Sequence, residues 1–177
     1  MNFQSFRLTA GVGAVLFILG LAIGVEAGKD DEVDVSHFRG HGPERAAQNL
    51  LDIALNQAGK GSWERIAVAR IHYLSGDRER GQEMIDGITK RDASDWMRMG
   101  RLYWQADEWD RAKDAFERVL EDKPKDEDWL AEIGAYYNLK GDRAKAEELF
   151  DRSFREDADN LYNTLSAAGS YLGVEER

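Results

Sequence analysis

The sequence predicts an all-α chain built from stacked helical hairpins, and three observations predict it. Residues 96–124 repeat their own pattern 34 residues on, with Trp96, Met99, Gly100, Tyr103, Ala112 and Phe116 echoed by Leu130, Ile133, Gly134, Tyr137, Ala146 and Phe150. Within each unit the apolar residues recur at spacings of three and four, the period of one helix face. A short turn divides the unit into two helices, and Gly76-Asp77-Arg78 in an earlier segment matches Gly141-Asp142-Arg143 in the later one. A hairpin of this kind cannot bury both of its faces, so neighbours must stack to make a core.

Met1 to Leu8 carries Arg7, an apolar run follows from Ala10 to Val25, and Val25-Glu26-Ala27 forms a small-x-small site. Residues 1–27 therefore read as a secretory signal peptide cleaved after Ala27. The run is short for a spanning helix, so an uncleaved membrane anchor is the second reading. Either places the remainder outside the cytoplasm, periplasmic or secreted. Residues 28–42 are rich in acids and glycine and lack a sustained period, which predicts an extended, flexible acidic leader. From Pro43 the spacing of Ala47, Leu51 and Ala54 is helical, and proline suits a first helical turn. Residues 43–58 form an N-terminal capping helix on this reading.

The first unit, 59–92, has helices from Trp63 to Leu74 and from Arg78 to about Lys90. It is the loosest, with His72, Gly81 and Ile85 where the others carry an aromatic, an alanine and a phenylalanine. The step from Ala69 to Gly100 is 31 residues, so its last loop must be tight. Units 93–125 and 126–158 follow, turning at Ala106-Asp107 and Gly141-Asp142. In 159–177, Ala167, Ala168 and Tyr171 repeat a first-helix spacing with no second helix after them, as in a C-terminal capping helix and tail. The 34-residue period with these signature positions resembles the tetratricopeptide repeat across about residues 63–171. The resemblance implies a right-handed superhelical array of antiparallel helix hairpins, an α-solenoid whose first helices line a concave groove.

The aligned groove positions are Trp63, Ile66, Arg70, Tyr73, Met97, Arg101, Trp104 and Asn138. Arg70 with Tyr73, and Arg101 with Trp104, place a guanidinium and an aromatic three residues apart, on one helix face. The pairs would make a positive, aromatic-lined strip for a carboxylate or acidic segment; the competing reading is that both arginines pair with nearby acids and both aromatics pack between hairpins. Some members of that family clamp a terminal carboxylate with polar side chains; Ile66, Met97 and Ala131 stand in those places here, so the resemblance implies a more apolar groove without that clamp.

Composition narrows the function class. The net charge is −10, and loss of residues 1–27 removes one base and one acid, leaving it unchanged. Nucleic acid is a poor partner for so acidic a chain. With no cysteine, stability rests on packing alone. His37 and His41 beside Asp30, Asp31, Glu32 and Asp34 are metal-ligand types, but flanking glycines fix no geometry, so no metal and no cofactor is implied. No nucleophile–base set, phosphate loop or metalloprotease motif is present, which argues against an enzyme. The expectation is an exported adaptor that binds a protein or peptide segment in its groove during assembly of a cell-envelope complex. The alternative is a structural module that self-associates as a homo-oligomer, or whose groove is plugged by its own leader through Phe38.

Overall fold

The computed structural model describes residues 32–175, so the expected signal peptide and the start of the leader lie outside it. Among the described residues the chain is all-helical: α1 Pro43–Ala58, α2 Ser62–Leu74, α3 Arg78–Asp86, α4 Ala93–Gln105, α5 Trp109–Asp122, α6 Glu127–Leu139, α7 Arg143–Glu156 and α8 Leu161–Tyr171. None of these is long and apolar enough to cross a membrane.

Side-chain caps set most of the helix starts. Asp77, Asp92, Asp126, Asp142 and Asn160 each accept from a backbone N–H of the first turn of the helix that follows. Such a cap satisfies a donor that the helix leaves unpaired. The first helix of each hairpin ends at a left-handed residue, a conformation that glycine adopts without a Cβ clash: Gly76 after α2 and Gly141 after α6 have φ of 107° and 93°. Asp107, in the equivalent turn between α4 and α5, reaches φ 57° as the one described non-glycine residue with positive φ.

The hairpins α2–α3, α4–α5 and α6–α7 pack pairwise, α2 rests on α4, and α6 rests on α8. Small residues allow the close approach within a pair. A Cβ added at Gly100 would lie 2.3 Å from the Phe116 ring, and one at Gly134 would lie 2.7 Å from the Phe150 ring. Phe116 is fully buried and Phe150 nearly so. Between the second and third hairpins the joint is aromatic. Phe116 stacks on Tyr136 at 4.9 Å and 9°, Trp104 meets Tyr136 at 5.1 Å, and Trp109 meets Tyr137 edge-on at 5.1 Å. These rings act as spacers, so α4 and α6 are bridged by side chains rather than by backbone approach.

Two segments differ from the sequence reading. The leader's described part, 32–42, contains a 3₁₀ turn at Val35–His37 with Asp34 as its cap, and Asn49 of α1 donates to the His37 carbonyl at 2.9 Å. Helix α3 stops at Asp86 instead of near Lys90. Ile88 is drawn into the core, and Arg91 donates to the Ile85 carbonyl at 2.7 Å, so the helix ends early and residues 87–92 form the connection to α4 in place of the tight loop expected; the shorter step comes from the shorter α3.

Candidate binding cleft

Because the aromatic spacers hold α4 and α6 apart, an open cleft of about 570 Å³ lies between α4, α6 and α8. Helix α4 contributes Arg101 and Gln105. Helix α6 contributes Asp128, Glu132 and Tyr136, spaced by four and therefore on one face. The start of α8 contributes Tyr162, Asn163 and Ser166, with its cap Asn160 beside them.

The electrostatics of the cleft turn on Arg101. Its Nε and Nη2 donate to the two oxygens of Glu132, both at 2.6 Å, a fork-to-fork pair. Those bonds push the guanidinium further up from its already high value. Asp128 accepts from Asn160 Nδ2 at 3.1 Å, and no cation within hydrogen-bonding distance of it lines the cleft. One guanidinium therefore stands against two carboxylates.

Tyr136 OH lies 3.2 Å from Glu132 Oε1 and 3.3 Å from Glu175 Oε1. One hydroxyl proton serves only one of these acceptors at a time. Burial, with the two carboxylates adding to it, drives the phenol far above its ordinary range. Trp104 Nε1 donates to Glu175 Oε2 at 2.9 Å. The tail thus turns at Gly173, where φ is 73°, and lays a carboxylate on the cleft's rim. Asn163 is 3 % exposed, yet its Nδ2 has no hydrogen-bond partner among the described residues.

The structure brings only part of the expected groove together. Arg101 lines the cleft and Trp104 borders it. Ile66 and Met97 are each 1 % exposed and Tyr73 is 3 % exposed; all three belong to the core and present no surface to a ligand. Ala131 is likewise buried, and the cleft is lined instead by residues that carry polar or charged groups. Arg70 donates to Gln105 at 2.8 Å. Tyr73, expected to face the groove beside it, instead donates to Glu108 at 2.7 Å and also bonds Arg111. The repeated guanidinium–aromatic strip therefore does not form. Trp63 is 53 % exposed and covered on one side by Arg98, 5.4 Å from its ring centroid. Asn138 donates to Ser170 Oγ at 2.9 Å, tying α6 to α8.

Three cleft features were missed from sequence: Glu132, which neutralises Arg101, the α8 residues Asn163 and Ser166, and the returning Glu175. The spacing of Asp128, Glu132 and Tyr136 along α6 was a usable signal for the first. The leader's described part packs on α1, with Phe38 still 41 % exposed, and supplies no lining residue to the cleft. His37 Nδ1 accepts from the Asp34 N–H at 3.0 Å, and His41 Nε2 donates to the Ser36 carbonyl at 3.1 Å. No group of three ligand-type side chains converges among the described residues.

No family model, curated protein or solved structure matches the chain.

Proposed function

We propose that the chain is a tetratricopeptide-like adaptor, a superhelical α-solenoid that carries no catalysis of its own and binds an extended protein segment in the cleft between α4, α6 and α8. In this reading it is exported and serves the assembly of a cell-envelope complex. One observation carries the binding part: an open cleft of about 570 Å³ walled by polar and charged side chains from α4, α6 and α8. Those side chains offer hydrogen-bond partners to the main chain of an extended segment. The charge balance selects a basic segment. Asp128 is exposed, Arg101 is already neutralised by Glu132, and a lysine or arginine side chain meets a carboxylate surplus there.

Glu175 on the rim is an internal occupant, and an incoming segment takes over its contacts with Trp104 and Tyr136. The test is selection from a charge-balanced displayed peptide library against the folded chain. Enrichment of Lys- and Arg-containing segments, with binding lost in Asp128→Lys/Tyr162→Ala while the far-ultraviolet dichroism stays helical, is expected. Selection of acidic segments overturns the charge assignment. Peptides that bind the double variant as well as the parent remove the cleft from the reading.

A further inference from the structure

Helix α8 is built inside out. Its buried residues are Asn163, Ser166, Ala167 and Ser170, three of them polar, while Leu161, Leu165 and Leu172 are 63 %, 43 % and 81 % exposed. At about 3.6 residues per turn, Leu161, Leu165, Ala168 and Leu172 fall within roughly 60° of one another, and the buried four lie on the opposite side. The helix cannot roll to hide its leucines without breaking the Asn138–Ser170 bond at 2.9 Å and losing the small-residue contact with α6. A terminal helix that merely closes an array presents a polar outer face. This one does not, which corrects its reading as a simple cap.

Two features of the stripe identify what covers it. The apolar spacing of four, three and four residues is that of the core positions in a two-helix coiled coil, a pattern complementary to itself about a two-fold axis. The stretch 160–174 also holds no charged residue, in a chain that is 33 % charged with net charge −10. Two copies of so acidic a chain repel across most of their surface, and this face is where they meet without like charges opposed. Asp157, Asp159 and Glu175 flank it, so an anionic lipid surface, which attracts basic flanks, is disfavoured.

We infer that α8 is a self-association face, on which two copies of the chain pack their Leu161, Leu165, Ala168 and Leu172 stripes together. The inference does not rest on the cleft reading, because Asn163 and Ser166 lie on the other side of the helix.

The absence of cysteine allows a clean test in the full chain. Ala168→Cys places one thiol mid-stripe, and Lys125→Cys, at a side chain 79 % exposed, is the control. At micromolar concentration with a short bis-maleimide, Ala168→Cys is expected to form covalent dimer at least fivefold faster than Lys125→Cys. Adding Leu165→Glu, or separately Leu172→Glu, returns the rate to the control level; both positions are exposed, so helicity is retained. Equal rates for the two cysteines overturn the inference. So does a fast Ala168→Cys rate that ignores both glutamates, since association then runs through another surface.

Discussion

Gly100 and Gly134 show how one missing carbon sets a packing distance. Alanine is the better helix former by about 1 kcal/mol, yet a Cβ at Gly100 would sit 2.3 Å from Phe116. Overpacking of this kind costs about 1 to 3 kcal/mol, so Gly100→Ala is expected to lower the denaturation midpoint despite its propensity. Phe116→Ala, which empties the space instead, is expected to cost about 3 to 5 kcal/mol, measured by urea unfolding. The cleft has its own single-residue logic. Glu132→Gln leaves Arg101 without its anionic partner, and with Asp128→Asn the balance changes from a carboxylate surplus to a free guanidinium. The double variant is expected to reverse the peptide charge preference, read by fluorescence anisotropy with lysine-rich and glutamate-rich probes. An unchanged preference would show that these carboxylates do not select the ligand.

At the scale of the element, the turns between paired helices are one solution used three times with one departure. Gly76 and Gly141 take the left-handed conformation freely, whereas Asp107 adopts φ 57° against a Cβ penalty of roughly 1 kcal/mol. Its contact with Lys140 is made by a side chain 92 % exposed and offsets little. Asp107→Gly is therefore expected to stabilise the chain by about 0.5 kcal/mol, a rise of roughly 1 to 2 °C in Tm, after the entropy of the added glycine is set against the relieved strain. Asp126, whose carboxylate accepts from the Trp129 N–H at 3.1 Å, is the opposite case: Asp126→Ala is expected to lower stability by about 1 kcal/mol.

Across the whole molecule, aromatic residues both join the hairpins and set the alkaline limit of stability. Burial first, then the Glu108 hydrogen bond, pushes Tyr73 up to about 12, and burial with Glu117 does the same for Tyr137; Tyr136 moves in the same direction. A phenol with a raised folded value keeps its proton while the unfolded chain loses it, so unfolding is favoured as pH rises. Stability is expected to be insensitive to these groups below the ordinary tyrosine value of 10.0 and to fall between there and about 12. Chemical denaturation at a series of pH values, followed by dichroism, reads this directly; a flat profile through that window would contradict the burial of the three phenols. At the acid end, burial opposes ionisation of Glu108, but hydrogen bonds from Tyr73 and Arg111 outweigh it and hold its carboxyl below 4.5. That contribution is present above the ordinary glutamate value and is lost as pH falls through the lowered one.

The sequence by itself determined that this chain is helical and where its helices turn. Spacing of Met99, Gly100 and Tyr103, Asx caps before the helices and left-handed glycines after them are local signals, and local hydrogen bonding and sterics act on them before any long-range contact forms. The tertiary structure decided which polar and apolar side chains remain available. Ile66, Met97 and Tyr73 share the spacing of surface positions, but only the packing of α3 and α4 against α2 buries them. The sequence leaves Arg101 open to a ligand or to a nearby acid, and the fold decides for the acid by bringing up Glu132, 31 residues later. The inverted burial of α8 follows from the same cause, because a helical period defines two faces and only the neighbour, here α6, chooses which one it covers.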